Sequence, residues 1–145
     1  MPLKQEHRML QVVKFVVSRH GWLWMLINQY RLTSKVMVDS NGNARCCVVD
    51  TVLILAERPE VQVALEYDGT SHDGQPCQHR CQDSIAAHEQ QRFRDAVKNE
   101  IVAEHGMQLL RMTLADLAAQ ACELGELLTR MAMGAMVPAL GLHLS

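Results

Sequence analysis

The chain contains two apolar segments, which read Cys46-Cys47-Val48-Val49-Asp50-Thr51-Val52-Leu53-Ile54-Leu55 and Val61-Gln62-Val63-Ala64-Leu65-Glu66-Tyr67-Asp68-Gly69. Both segments are rich in β-branched and aliphatic residues and are bounded by turn residues, so both predict core strands. Asp50 and Glu66 lie inside these strands, where an unpaired ionised carboxylate would cost several kcal/mol. A divalent cation shared by the two carboxylates would remove this cost, so the pattern favours a metal site.

Either acid taken alone fits a simpler interpretation. Acidic residues are common at strand ends, where the carboxylate faces water or pairs with an arginine. The metal-site hypothesis therefore depends on Asp50 and Glu66 lying on adjacent strands of a hairpin.

Four segments follow one another in an order that resembles a known nuclease superfamily. They are Val49-Asp50-Thr51-Val52, Ala64-Leu65-Glu66-Tyr67-Asp68-Gly69-Thr70-Ser71-His72-Asp73, Arg94-Asp95-Ala96-Val97-Lys98-Asn99-Glu100-Ile101 and His105-Gly106-Met107-Gln108-Leu109-Leu110-Arg111. Together they resemble the PD-(D/E)XK-type nucleases, in particular an uncharacterised domain family similar to very-short-patch-repair endonucleases. The resemblance comes from order and context, because no single segment is decisive.

The resemblance implies an α/β (α+β) fold with a restriction-endonuclease-like mixed central sheet flanked by helices. It covers roughly the middle half of the chain, with a metal-site core at about residues 45–112, while the length indicates one domain over residues 1–145. The activity implied is Mg²⁺-dependent cleavage of DNA, with Asp50 and Glu66 as ligands, the backbone carbonyl of Tyr67 as a further ligand, and Mn²⁺ as a substitute metal. Hard cations prefer such oxygen ligands, polarise phosphates and activate water.

The chain departs from the superfamily pattern at Asp68, where a lysine usually stands two residues after the glutamate. Asp68 could be another metal ligand, with Lys98 or Arg94 supplying the missing positive charge from the following helix. Alternatively, Asp68 and Gly69 simply make the turn that ends the strand. His72 falls where the resembling families keep a histidine, and it could act as a general base or hold a water molecule near the metal. Alternatively, it is an ordinary loop histidine.

A helix is predicted from Ser84 to Glu104, with Gly106 as its C-terminal stop. Arg94 and Lys98 lie one turn apart on it and share a face that could approach a phosphate or the two carboxylates. Ordinary surface pairs, Asp95 with Asn99 or Lys98 with Glu104, are the alternative. The apolar face of this helix is expected to comprise Ile85, Phe93, Val97 and Ile101.

A short strand is predicted from Met107 to Met112, with Arg111 near its end on the side of a bound nucleic acid. Thr113 and Asp116 then form a capping-box pattern for a helix over residues 114–133. Its apolar stripe favours packing against the sheet, although a homodimer through this helix is the alternative use. The stripe comprises Leu117, Ala121, Leu124, Leu128 and Met131.

The N-terminal third predicts an amphipathic helix that ends near Gly21. Glu6 lies on its first turn, where PD-(D/E)XK folds often keep a glutamate, but an exposed acid at a helix N-terminus explains it equally well. The segment Trp22 to Leu32 favours a strand over a continued helix.

Composition fits one ordinary domain, since the chain has 145 residues of which 48% are hydrophobic. No segment suggests a membrane span or a signal peptide, so a cytoplasmic protein is expected. The formal net charge of −2 opposes strong binding to a polyanion and suggests either modest intrinsic affinity for DNA or delivery to it by a partner protein. With two tryptophans and two tyrosines, no platform for base stacking is apparent.

The five cysteines do not form a disulfide framework, because their number is odd. Cys77 and Cys81 lie near several histidines, but their spacing fits structural zinc sites poorly, so Zn²⁺ is not expected there. Cys46, Cys47 and Cys122 are interpreted as packing residues.

Three hypotheses from different functional classes follow. The favoured one is a metal-dependent DNA endonuclease, which requires Asp50 and Glu66 to meet. The second is a catalytically inactive nuclease-like module that binds nucleic acid or supports assembly, as Asp68 suggests. The third is an interaction protein that uses the C-terminal stripe, with the acids paired to Arg94, Lys98 or Arg111.

Overall fold

A computed structural model of the protein describes residues 4–68 and 81–139. These residues form three helices and four strands, in the order α1 (Lys4–Arg19), β1 (Trp24–Val38), β2 (Ala44–Leu55), β3 (Gln62–Tyr67), α2 (Cys81–Glu104), β4 (Gln108–Met112) and α3 (Leu117–Ala139). The predicted mixed sheet flanked by helices is confirmed. The segment after Gly21 is a strand, as its composition favoured.

The four strands form one sheet in the order β1-β2-β3-β4. The pairs β1/β2 and β2/β3 are antiparallel, whereas β3 and β4 are parallel and are connected through α2. The β1–β2 turn is closed by Asp39, whose Oδ1 accepts the backbone N–H groups of Asn41 at 2.8 Å and Asn43 at 3.0 Å. Gly42, at φ 81°, supplies the left-handed residue that this turn needs.

The β1–β2 ladder is irregular at two places. At the first place, Gln29 and Asp50 face each other but are not paired, although the register of the two strands is the same on both sides of them. The backbone of Gln29 is left-handed there, with a φ of 54°. A second irregularity lies between Thr33 and Val38, where the register shifts. The first break is at the level of Asp50 and therefore next to the carboxylates singled out from the sequence.

Both faces of the sheet are covered by helices. Helices α1 and α3 pack on one face over Leu53, Leu55 and Leu65, and α2 packs on the other face over Val52 and Ala64. Strand β2 is therefore buried on both sides, which explains why its sequence is almost continuously apolar rather than alternating.

The apolar face predicted for α2 is only partly correct. Ile101 is buried and Val97 is half-buried, but Ile85 is 59% exposed and Phe93 is 57% exposed. The reason is that only the C-terminal half of α2 packs against the sheet, while residues 85–92 are exposed. Helical periodicity alone cannot show which part of a helix extends beyond the sheet on which it packs.

Helix α3 carries the predicted stripe into the core. Leu124 and Leu128 are fully buried, and Leu117 and Met131 pack around them. The helix is capped by Asp116, whose Oδ1 accepts the N–H of Ala119 at 3.2 Å, so Thr113 is not the capping residue that the sequence pattern suggested. Because its central leucines are covered by the chain's own core, a homodimer through this stripe stays only a prediction.

Two assignments about the cysteines are wrong. Cys46 and Cys122 are exposed rather than packed, while Cys47 is half-buried. Within the two described segments, none of the helices is long and apolar enough to cross a membrane.

Candidate metal and phosphodiester site

Asp50 and Glu66 come together where the β2–β3 ladder ends. The last backbone pair toward this end is Thr51 with Leu65, so continuing the register places Asp50 opposite Glu66. Side chains replace the backbone ladder at this point: the Tyr67 N–H donates to Asp50 Oδ2 at 2.7 Å, and the Asp50 N–H donates to Glu66 Oε1 at 3.3 Å. The two strands thus hold both acids at one position.

Lys98 reaches this pair of acids from α2. Its Nζ lies 3.0 Å from Glu66 Oε1, and the side chains are mostly buried, with 21% of Lys98 and 13% of Glu66 exposed. Of the two cations that the sequence offered as substitutes for the usual lysine, Lys98 is therefore the one that contacts Glu66. The interpretation of Lys98 as a surface partner of Glu104 is wrong, because Glu104 instead accepts hydrogen bonds from the Ser34 hydroxyl and the Lys35 N–H.

The electrostatics of this site favour a further cation. Burial raises the pKa of Glu66, the neighbouring Asp50 charge raises it further, and Lys98 acts in the opposite direction. Lys98 pairs with Glu66, so within this group of three side chains the charge of Asp50 has no cation as its partner. A divalent cation would stabilise both ionised acids, which is the arrangement that an oxygen-ligated metal site needs.

Tyr67 connects the site to the core on the opposite face of the sheet. Its hydroxyl lies 2.7 Å from Thr51 Oγ1, which donates in turn to Asn28 Oδ1 at 3.0 Å. Burial, opposed by the hydrogen bond to Thr51, raises the pKa of Tyr67 to about 12, and the charges of Asp50 and Glu6 contribute in the same direction as burial. The charge of Glu6 on α1 therefore acts on the Tyr67 hydroxyl.

The raised Tyr67 pKa makes stability fall at high pH. Between pH 10, the ordinary tyrosine value, and about 12, the unfolded state loses the Tyr67 proton while the folded state keeps it, so unfolding becomes more favourable as pH rises. We expect Tyr67→Phe to flatten this decline in urea-unfolding free energy across that interval. An unchanged slope in Tyr67→Phe would contradict the assignment, and Tyr30→Phe serves as the matched control.

Asp68 and Arg111 are fixed by contacts with neighbouring elements. The Asp68 N–H donates to the carbonyl of Met112 at 2.7 Å, so Asp68 continues the β3–β4 edge beyond Tyr67. Arg111 faces Glu66 in the parallel register, yet its guanidinium binds Asn99 Oδ1 at 2.9 Å and lies 3.7 Å from Asp95 Oδ2. Asp95 and Asn99 thus contact Arg111 rather than each other. These contacts connect α2 to β4.

Several sequence predictions lie outside the described residues. They concern His72 and Cys77. The side chain of Cys81, at the first position of α2, is outside the description as well. Across residues 4–68 and 81–139, no group of three or more His, Cys, Asp and Glu residues has an arrangement that could hold a metal ion. Among the described residues, Asp50 and Glu66 are therefore a pair of carboxylates without a third His, Cys, Asp or Glu ligand.

A cavity of 530 Å³ adjoins the site between the start of β2 and α2. Lys98 and Cys47 lie in its wall, together with Arg45, Phe93 and Arg94. Burial raises the pKa of the Cys47 thiol, Lys98 lowers it and Glu66 raises it, so Glu66 acts on Cys47 in the cavity wall. Arg94, which the sequence linked to nucleic acid, faces this cavity rather than Glu66.

Comparisons with family models, with curated proteins and with solved structures each returned no match.

Proposed function

We propose that the protein is a metal-dependent nuclease that hydrolyses phosphodiester bonds in DNA, with Asp50 and Glu66 holding Mg²⁺. The observation that carries this proposal is the mostly buried group of two carboxylates and one lysine at the end of the β2–β3 ladder. It has the residue types expected from the resemblance, with the lysine donated by α2 instead of by β3.

The donor set suits a hard divalent cation. Asp50 and Glu66 supply carboxylate oxygens, which Mg²⁺ and Mn²⁺ prefer, and the excess negative charge raises the affinity for such an ion. The Tyr67 carbonyl and Asp68 are candidates for further ligands. A bound cation would polarise the scissile phosphate and lower the pKa of an attacking water.

The chain's own residues have separate roles in this proposal. Glu66 holds the Lys98 ammonium beside the metal ligands, where that ammonium can donate a hydrogen bond to a phosphate oxygen or to the attacking water. Arg94 and Arg111 are proposed to contact DNA, with Arg94 reaching it from the cavity wall. Arg111 also positions α2 through Asn99 and Asp95. His72 is the candidate general base.

A catalytically inactive nucleic-acid-binding module is the second candidate. It is favoured by the contacts that the two acids already make without a metal, a hydrogen bond from the Tyr67 N–H to Asp50 and an ion pair between Lys98 and Glu66. The presence of Asp68 at the position of the usual lysine also favours the catalytically inactive module. A homodimer and a partner protein for targeting remain proposals under either candidate.

Cleavage of supercoiled plasmid in Mg²⁺ or Mn²⁺ tests the proposal. We expect nicking by the wild type, and we expect none in EDTA or with Asp50→Asn, which keeps the side-chain shape but removes the charge. Glu57→Gln, an exposed acid in the β2–β3 connection, is the matched control and should cleave normally. Absence of both cleavage and calorimetric Mn²⁺ binding in the wild type would contradict the enzyme proposal.

A further inference from the structure

The cavity between β2 and α2 presents an exposed aromatic ring beside three cations. Phe93 is 57% exposed although it lies on a helix that has an apolar core side. The Arg45 guanidinium stands over the Phe93 ring at 5.6 Å from the ring centroid, and its Nε donates to the Val38 carbonyl at 3.1 Å. The ring and the guanidinium are thus held together at the wall of the cavity.

Positive charge prevails along this wall. Arg45, Arg94 and Lys98 line the cavity together with two acids, Asp39 and Asp95. Asp39 is engaged by the backbone N–H groups of its own turn, and Asp95 faces Arg111. Lys98 is likewise paired with Glu66, so Arg45 and Arg94 are the cations of the wall that remain for a ligand, in a chain whose formal net charge is −2.

Flat rings and guanidinium planes bind the faces of unpaired bases, and arginines and lysines bind the phosphates between them. The volume of 530 Å³ is that of a small-ligand pocket and suits one or two nucleotides rather than a duplex. Lys98 belongs both to this wall and to the carboxylate pair. A strand lying along the wall would therefore reach the proposed metal site directly.

We infer that this cavity binds single-stranded DNA, with an unpaired base stacked on the Phe93–Arg45 pair and its phosphates led past Arg94 toward Lys98. This inference rests on the proposed function in taking DNA as the substrate. It adds strand selectivity: the site acts on single strands or flaps, because a base stacked inside a duplex has no free face for Phe93.

Binding measured in EDTA tests the inference independently of cleavage. Fluorescence anisotropy would compare a labelled oligo-dT with a blunt duplex of equal length. We expect the wild type to prefer the single strand and Phe93→Ala and Phe93→Leu each to weaken its binding about tenfold, while Phe93→Trp retains it. Ile85→Ala, which removes a comparably exposed apolar side chain from the same helix, should bind as the wild type does.

The salt dependence of binding tests the role of the cations. Each phosphate contact to a single strand contributes about 0.7 to the slope of log affinity against log salt. We expect Arg94→Gln to reduce the slope by about that amount, and we expect Arg92→Gln, on an exposed position of the same helix, to leave it unchanged.

The outcomes separate this inference from the proposed activity. Metal-dependent cleavage with equal binding of duplex and single strand, or with Phe93→Ala unaffected, would overturn the single-strand site and leave the nuclease. Phe93-dependent binding without cleavage would support the site and contradict the enzyme. A lower melting temperature of Phe93→Ala with unchanged binding would show that the Phe93–Arg45 pair only clamps the hairpin to α2, which also overturns the inference.

Discussion

Lys98→Met is expected to lower the rate of DNA cleavage about 100-fold or more while it tightens Mn²⁺ binding. Both effects follow from the contact between Lys98 Nζ and Glu66 Oε1 at 3.0 Å. The ammonium neutralises part of the charge that would otherwise attract a divalent cation, so its removal raises the affinity of the two carboxylates for metal. In the proposed mechanism, the same removal would deprive the phosphate or the attacking water of a hydrogen-bond donor.

The variant should also be less stable when no metal is present. Without Lys98, the mostly buried Glu66 lies beside Asp50 with no cation to offset burial, so its pKa rises further. Saturating Mn²⁺ should restore the melting temperature, because a ligand that binds only the folded state stabilises it. Thermal melts with and without Mn²⁺ would measure this recovery.

The matched control is Lys14→Met, which removes an exposed lysine from α1. It should leave cleavage, Mn²⁺ affinity and melting temperature close to those of the wild type. A Lys98→Met protein that is destabilised but gains no Mn²⁺ affinity would indicate that the Glu66–Lys98 pair is only structural. That result would favour the catalytically inactive module over the nuclease.

Leu128→Ala should cost about 3 kcal/mol of unfolding free energy. Leu128 is fully buried in the cluster that joins α1, α3 and the sheet, with Met9, Leu53 and Leu65 in the same cluster. Truncation leaves a cavity that rigid elements on both sides cannot close, so the lost packing adds to the lost hydrophobic burial. For a chain of this size, the melting temperature should fall by roughly 6–12 °C.

Urea titration of Leu128→Ala would measure the change in unfolding free energy directly. Met133→Ala, which truncates a 52% exposed side chain on the same helix, should change it by less than about 1 kcal/mol. Equal costs at the two positions would contradict the assignment of the α3 stripe to the core. They would instead favour the use of this stripe in contacts with another chain.

The sequence predicted the elements whose residues repeat a simple pattern. Strands β2 and β3 were recognisable from continuous apolar residues, and the charges of Asp50 and Glu66 stood out because they interrupt those runs. Lys98 was recognisable as one of two cations on a helix face, but only the packing of α2 on the sheet distinguishes it from Arg94. The nuclease resemblance itself and its metal remain predictions.

The features that escaped prediction depend on contacts between distant parts of the chain. Arg45 and Phe93 become a stacking pair only because the β1–β2 hairpin and α2 meet at the cavity. The hydrogen bonds from Tyr67 through Thr51 to Asn28 likewise join three strands. Exposure of Ile85 and Cys46 was missed for the same reason, since periodicity and residue type do not report which neighbours cover a side chain.

The two irregularities of β1 have a consequence for self-association. Strand β1 lies at one edge of the described sheet and has 15 residues. A regular edge strand of this length could pair with a strand of a second molecule. The left-handed turn of the backbone at Gln29 and the register shift before Val38 divide that edge into shorter stretches. An incoming chain would lose hydrogen-bond registry at each break, so the distortion that accompanies Asp50 makes this edge a poorer template for edge-to-edge pairing.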